Sequence, residues 1–177
     1  MLWNLDPAHT TIEFSVKHLG IATVKGRFRS FSASAEAGAD GRLSKIEATI
    51  DANSIDTGVD QRDQHLRSAD FFDVANFPEI RFVSTSITPK GMGESVISGN
   101  LTLRGVTRPV TFTLEQENVI KDPWGNQRIA STATGKLSRK EWGLTWNQAL
   151  ELGGVVVSDE VKFTLDVQVV AAQPVAA

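Results

Sequence analysis

Four polar side chains in this sequence are of types that could exchange protons with a bound molecule. His18 ends an alternating apolar segment, and Arg62, Asp63 and His65 lie close together further along the chain. An imidazole beside a carboxylate and a guanidinium could act as an acid–base set in a small hydrolase or isomerase. The sequence contains no cysteine and no G-x-S-x-G motif, so no nucleophile with a recognisable neighbouring base accompanies this set. Acid–base chemistry is therefore one hypothesis among several.

The same side chains also have binding and structural interpretations. His18 could donate a hydrogen bond to a backbone carbonyl at a strand end, or it could contact a ligand. Arg62 and Arg67, with His65, could present positive charge to an anionic head group. An internal ion pair between Arg62 and Asp63, which would hold a short helix in place, fits the sequence equally well.

Metal, nucleotide and nucleic-acid sites find little support in the sequence. The histidines at positions 9, 18 and 65 share no metal-ligand spacing, and a chain without cysteine has no thiolate ligands. No phosphate-binding loop or dinucleotide fingerprint is present. The formal net charge of −3 does not provide the dense basic face that nucleic-acid binding needs. We therefore expect no metal, no other cofactor and no nucleic-acid partner.

The elements that must position these residues are predicted to be strands. Apolar and polar residues alternate over most of the chain, as at Ile12, Phe14 and Val16, and this period of two indicates strands with one buried face. Closely sequential strands favour a closed eight-stranded antiparallel barrel, with an open sandwich as the alternative. Gly26 and Gly99 fall inside strands and predict bends or bulges. The alternating runs are 10–17, 22–33, 43–52, 79–88, 94–104, 109–119, 128–139 and 160–170.

Two segments depart from this alternation. Thr57 and Asp60 form a capping-box pattern, which predicts one short helix over about 57–68. Residues 142–157 form an apolar loop in which only Glu151 is charged. This loop could cover a barrel end, form a dimer contact or close over a ligand.

Length and composition indicate one soluble globular domain. The chain has 177 residues, 41% of them hydrophobic, which suits a single domain over 1–170 followed by a flexible C-terminal tail over 171–177. Nine Phe and four Trp without any Tyr favour a deep apolar interior. No apolar stretch could cross a membrane, and the N-terminus lacks the features of a secretory signal. We therefore expect no transmembrane segment and a cytoplasmic location, or a periplasmic one if the chain is a trimmed mature form.

Seven short motifs follow one another along the chain: FSVKHLG (14–20), SIDTG (54–58), RDQHL (62–66), DFFDV (70–74), FP (77–78), GNLTLRGVT (99–107) and SDEV (158–161). In order and spacing they resemble the YceI-like, polyisoprenoid-binding family. The resemblance extends from about Asp6 to Val169, nearly the whole chain. Asn100 departs conservatively from the family pattern, which more often has Asp there.

The resemblance implies a lipocalin-like barrel, usually a homodimer, whose long apolar channel holds a polyisoprenoid, an isoprenoid quinone or a related amphiphilic lipid. A charged head group would lie at the channel mouth, near His18, Arg62 or Arg67. A hydrocarbon tail needs an apolar wall without directional partners. We expect the tail-binding wall to include Phe14, Val16, Phe28, Ile50, Leu66, Phe72, Phe82, Leu101, Leu103, Phe112, Trp142 and Leu144.

Three hypotheses for function remain. The first is non-enzymatic binding of a polyisoprenoid or similar lipid in the barrel cavity, in a carrier, storage or stress-related role. The second is a small lipid-acting enzyme that uses His18, Arg62, Asp63 and His65. The third is a protein–protein interaction module that uses segment 142–157. Turnover that is lost on His18→Ala while binding is retained would favour the enzyme, and a heteromeric complex with a filled, dry barrel would favour the module.

Overall fold

Antiparallel strands form nearly all of the fold. The computed structural model describes residues 1–38 and 42–172. One α-helix, α1 (Asp60–Arg67), is present in these ranges, and short 3-10 turns occur at Pro7–His9, Ala52–Ser54 and Arg139–Trp142. The strands are β1 (Leu2–Leu5), β2 (Thr11–His18), β3 (Ala22–Phe28), β4 (Phe31–Ala37), β5 (Leu43–Asp51), β6 (Ile55–Asp56), β7 (Glu79–Gly91), β8 (Glu94–Leu103), β9 (Val106–Gln116), β10 (Ile120–Lys121), β11 (Gln127–Ser138) and β12 (Glu160–Ala171).

The sheet closes on itself into a barrel with eight walls. Around the barrel the strands follow the order β11-β9-β8-β7-β5-β4-β1-β12, and β12 pairs again with β11 along nearly its whole length. Strand β2 continues β1 along the other edge of β12, and β3 continues β4 along β2, so each of these pairs makes one bent wall. The predicted closed eight-stranded antiparallel barrel is confirmed, and the open sandwich is wrong.

The single strand predicted over 22–33 is two strands, β3 and β4, which meet at Arg29 and Ser30. The Arg29 N–H donates to the Ser54 carbonyl at 3.2 Å, and the Ser30 N–H donates to Ser54 Oγ at 3.0 Å. Because these two N–H groups bond to a 3-10 turn rather than to a neighbouring strand, the ladder is interrupted and the wall bends. The second strand then continues to Ala37 along β1.

Helix α1 begins at Asp60 and ends at Arg67, whereas the sequence predicted a helix over about 57–68. Val59 occupies the N-cap position, and its side chain makes no capping hydrogen bond. Thr57 bonds to the buried Asp63 instead, whose Oδ1 accepts from the Thr57 N–H at 2.9 Å and from Thr57 Oγ1 at 2.5 Å. The predicted capping box is therefore wrong, because Thr57 fastens the approach to the helix and does not cap it.

The apolar segment 142–157, called here the cap segment, covers the barrel end at which α1 lies. Trp142 and Leu144 are buried and pack in one cluster with Phe71 and Leu66. Trp142 Nε1 also donates to the Leu101 carbonyl at 3.0 Å. Of the three roles predicted for this segment, its packing supports coverage of a barrel end.

Strand β12 extends further than predicted. Ala171 pairs with Trp3, and the Ala172 N–H donates to the Leu2 carbonyl at 2.9 Å. The flexible tail predicted over 171–177 is therefore wrong for its first two residues, because the unforeseen strand β1 gives them a partner. Residues 173–177 lie outside the described residues. Within the described ranges, no helix combines the length and apolarity needed to cross a membrane.

At the barrel end opposite the cap segment, a charged cluster around Arg128 holds the chain together. Arg128 Nη1 contacts Asp6 Oδ2 at 2.6 Å, and its Nε contacts Asp122 Oδ2 at 2.8 Å. The hydrogen bond from Arg128, with further bonds from the Asn126 and Trp124 N–H groups, lowers the pKa of Asp122 to about 2. This cluster joins the start of the chain to the turn that precedes β11.

Stability should depend on Asp122 in a defined pH range. Its pKa in the folded protein lies below the ordinary value of 3.8, so its stabilising effect is complete above the ordinary pKa and is lost as the pH falls towards about 2. We predict that Asp122→Asn lowers the melting temperature at pH 7 and that the difference from wild type shrinks towards pH 2. An equal difference at both pH values in thermal unfolding followed by circular dichroism would contradict this account.

Candidate ligand-binding cavity

A cavity of about 500 Å³ lies inside the barrel. This volume falls within the range of about 300–1,000 Å³ that is typical of small-molecule sites. All twelve residues predicted for the tail-binding wall line it. Eight of them lie on strands, whose alternation turns them to the barrel interior. Leu66 lies on α1, Phe72 follows that helix, and Trp142 and Leu144 belong to the cap segment. Further apolar lining residues were missed, although the same alternation could have found several of them: Phe71, Ile80, Leu114, Ile129, Trp146, Phe163 and Leu165.

Aromatic rings form two groups along the cavity wall. Near α1, the Phe28 ring lies 5.7 Å from Phe14 and 5.8 Å from Phe72, measured between centroids. In the second group, Phe112 lies 5.4 Å from Phe82 and 5.9 Å from Phe163. The two groups make the wall a nearly continuous hydrocarbon surface, which suits a ligand without polar atoms along its length.

Glycines in the strands give these rings their room. At Gly26, a Cβ atom would lie 2.3 Å from Cζ of Phe14, the residue it faces on β2. A Cβ atom at Gly99 would clash in the same way with the Phe82 ring, and a Cβ atom at Gly135 would clash with the Phe163 ring. The predicted bulge is present opposite Gly99, where the register shifts between Ser84 and Ser86, whereas β2 and β3 pair regularly at Gly26. Glycine is therefore needed at position 26 because the Phe14 ring covers it, and not because the strand bulges there.

Gly26→Ala should push the Phe14 ring into the cavity. Overpacking of this kind costs about 1–3 kcal/mol of unfolding free energy. Adding Phe14→Leu to Gly26→Ala should recover part of that loss, because the smaller side chain removes the ring atoms that clash. Urea denaturation of the two single variants and the double variant tests this, and strictly additive effects would contradict it.

Polar side chains line the cavity at the end covered by α1 and the cap segment, and others, such as Ser34, Gln116 and Ser131, line the strand walls. Thr57, Arg62, His65 and Arg139 line the cavity there, together with His18 at the end of β2. Arg62 donates from Nε to Thr57 Oγ1 at 2.7 Å and from Nη2 to the Thr57 carbonyl at 2.8 Å. Arg62 is thus placed at the cavity, as predicted, through Thr57 and not through an ion pair with Asp63.

His65 is held between a carboxylate and two aromatic rings. Its Nε2 lies 2.9 Å from Asp70 Oδ2. The imidazole meets Phe71 edge-on at a centroid distance of 5.1 Å and Trp146 at 4.7 Å. These contacts connect α1 to the cap segment and give His65 a structural role at this end of the cavity.

Arg67 was predicted near the head group, and the structure places it elsewhere. Its Nε donates to the Asn53 carbonyl and its Nη2 to the Ile55 carbonyl, each at 2.9 Å. The residue does not line the cavity. Arg67 follows the cavity-lining Leu66 on α1, but its guanidinium is directed to the chain around β6 and fastens the helix there.

Arg139 is a buried cation at the cavity that sequence reasoning missed. Its Nε donates to the Ser158 carbonyl at 2.9 Å, and its Nη1 donates to the carbonyls of Leu144 and Trp146 at 2.7 and 2.9 Å. Burial lowers the pKa of this guanidinium, an effect that the Asp159 carboxylate opposes. The side chain fastens both ends of the cap segment. No sequence signal separated it from the exposed basic residues beside it.

The predicted acid–base set is not assembled as a unit. Among the described residues, Arg62 and Asp63 make their side-chain hydrogen bonds to Thr57, and His65 bonds to Asp70. His18 stands at the end of β2, where it forms a bridge with Val157 of the cap segment. Within residues 1–38 and 42–172, no group of three or more His, Asp or Glu side chains could hold a metal ion.

Comparison with known proteins finds relatives over nearly the whole chain. The model of the YceI-like domain matches residues 3–169. A UPF0312 protein of Staphylococcus aureus (strain USA300) is 40% identical over 163 residues, which cover 91% of this chain and 92% of that protein.

Two solved structures share the barrel fold. The YCEI protein of Campylobacter jejuni matches with a TM-score of 0.78 and 26% identity, over 89% of this chain and 90% of that chain. A polyisoprenoid binding domain from Saccharophagus degradans matches with a TM-score of 0.73 and 17% identity, over 96% of this chain and 98% of that chain.

Proposed function

This chain belongs to the YceI-like family, and on that premise we propose that it binds a polyisoprenoid or similar amphiphilic lipid in its barrel cavity without catalysing a reaction. The observation that carries the proposal is the apolar wall of the 500 Å³ cavity. The Saccharophagus degradans domain with the same fold is a polyisoprenoid binding domain, which supports a lipid as the ligand here.

The energetics of such a site favour a long hydrocarbon. Burial of apolar surface contributes about 0.8 kcal/mol for each CH₂ group, and ordering a flexible chain offsets much of this gain. At ~0.3 kcal/mol per heavy atom, each isoprene unit adds about 1.5 kcal/mol, or roughly tenfold in Kd. Affinity should therefore depend on tail length until the cavity is full.

The polar end of the cavity suits a head group with oxygen acceptors. Among the described residues, Arg62 uses Nε and Nη2 on Thr57 and makes no hydrogen bond through Nη1. The His18 ring likewise makes no side-chain hydrogen bond there, and both residues line the cavity. We place the head group beside Arg62 and His18, whose free donors would fix its position more than its affinity.

A charge introduced into the apolar wall should abolish lipid uptake. Leu103 lies in both clusters near α1, and Leu103→Glu or Phe72→Asp would put a carboxylate against the tail. We expect each to weaken lipid affinity by at least about tenfold. Thr111→Glu is the matched control, since it adds the same charge on the exposed face of β9. Lipid loading is measured by native mass spectrometry, with folding checked by circular dichroism. A folded Leu103→Glu variant that carries as much lipid as the wild type would contradict the proposal.

Alanine substitutions of Arg62 and Arg67 should have different effects, one on lipid affinity and the other on the melting temperature. Arg62→Ala removes a donor at the cavity and should weaken lipid binding by roughly tenfold or less, the effect of one charge-assisted hydrogen bond. Arg67→Ala should leave binding unchanged and lower the melting temperature, because the Arg67 side chain donates to the Asn53 and Ile55 carbonyls and does not line the cavity. Weaker binding in Arg67→Ala than in Arg62→Ala would contradict this placement of the head group.

The carrier or storage role is part of the same proposal. It is supported by the apolar wall of the cavity, and by the structural hydrogen bonds that Thr57 and His65 make to Asp63 and Asp70. The homodimer and the cytoplasmic location stay predictions, and sedimentation of the purified protein tests the first of them.

A further inference from the structure

The turn between β2 and β3 carries apolar side chains that the fold does not require. Residues 18–21 form a β-turn in which the Ile21 N–H donates to the His18 carbonyl at 3.2 Å, and His18 pairs with Ala22, so Leu19, Gly20 and Ile21 connect the two strands. Leu19 and Gly20 have φ values of +55° and +69°, the left-handed conformation that a type I′ turn needs. Asn or Gly suits the first of these positions, whereas Leu is disfavoured there.

Leu19 and Ile21 are also open to solvent. Their side chains are 41% and 84% exposed. A polar residue at either position would fit the turn better and would not place hydrocarbon in water. Both choices run against stability, so a purpose outside the folding of the hairpin explains them.

The exposed side chains stand beside the cap segment. The Leu19 N–H donates to the Val156 carbonyl at 2.9 Å, next to Val155, which is 46% exposed. Leu152 projects from the adjoining turn and is fully exposed. We call Leu19, Ile21, Leu152 and Val155 the mouth patch. His18 and Val156 line the cavity, so the patch continues directly from the cavity wall to the outside.

Basic residues flank the hairpin side of this patch. Lys17 and Lys25 lie on β2 and β3 just behind the tip, both exposed, and Lys17 Nζ donates to Thr23 Oγ1 at 2.8 Å. Glu151 is the carboxylate of the cap segment. Apolar side chains at a tip with lysines behind them fit a bilayer that carries anionic lipids, because the hydrocarbon enters the interface while the ammonium groups meet the head groups.

We propose that the mouth patch docks on the surface of an anionic lipid bilayer, with Leu19 and Ile21 entering the interface. The proposal rests on the proposed function, since docking at the capped end would bring the cavity to the membrane from which a lipid is taken. Another hairpin turn that places an exposed apolar residue at a positive φ offers a comparison. Met92 has a φ of +52° and is fully exposed, but it lies in the β7–β8 turn, at the other end of the barrel.

The test compares matched turn variants of the full chain. Wild type, Leu19→Asn with Ile21→Thr, and Met92→Asn are mixed with vesicles of equal parts phosphatidylcholine and phosphatidylglycerol, and binding is measured by co-sedimentation. The double variant should lose vesicle affinity by about tenfold or more, whereas Met92→Asn should match wild type. Added salt should weaken wild-type binding, and Lys17→Gln with Lys25→Gln should reduce that salt dependence.

Binding of farnesol without vesicles separates docking from the cavity. The double variant should bind farnesol like wild type, because Leu19 and Ile21 do not line the cavity. Vesicle binding that is unchanged in the double variant would overturn the docking proposal. The proposal would also be overturned if the wild type did not bind vesicles and instead formed dimers through the patch. In that case the dimers would dissociate in the double variant. A wild type that docks on vesicles but does not bind farnesol would support docking and count against the proposed function.

Discussion

The pairing of β12 with β11 is the constraint on which the rest of the structure depends. Its register runs from Arg128↔Val170 to Ser138↔Glu160, and it closes the barrel by joining β11 to β12, whose other edge pairs with β1 and β2. Without it, an extended sheet would expose two free edges and its apolar face. Closure turns that face inward and makes a cavity. Closure also positions the two ends of the barrel, because β12 lies beside the Arg128 cluster at one end and beside the cap segment at the other.

The interior is lined but not filled. A barrel of eight strands encloses about enough room for its own side chains or for one small ligand. Here the rings of Phe14, Phe82 and Phe163 lie over strand glycines, which keeps them against the wall and leaves the space between them open. The cap segment then closes one end through Trp142 and Arg139. This geometry suits the proposed binding of a hydrocarbon, because apolar side chains offer contact along most of the wall.

The sequence predicts the walls of the barrel well because side-chain alternation is local. Phe14 and Phe112 were placed inside by their neighbours alone, and the YceI-like motifs agreed with that placement. The positions of Arg67, Thr57 and Arg139 depend on carbonyl groups that are distant in sequence or on the exact start of a helix. Such contacts leave no periodic signal. Strand β1 was missed for a similar reason, since its partner strands are distant in sequence, as in the pairing of Trp3 with Ala35 and Ala171.

The central claim is that hydrocarbon contact with the cavity wall, rather than recognition of a head group, provides the affinity. Polyprenols of increasing length, titrated against the purified protein and followed by native mass spectrometry, test it directly. The account predicts one lipid per chain and a Kd that falls roughly tenfold with each added isoprene unit, until the cavity is full and affinity levels off. Absence of binding at every length, or an affinity that follows the head group and ignores the tail, would contradict it.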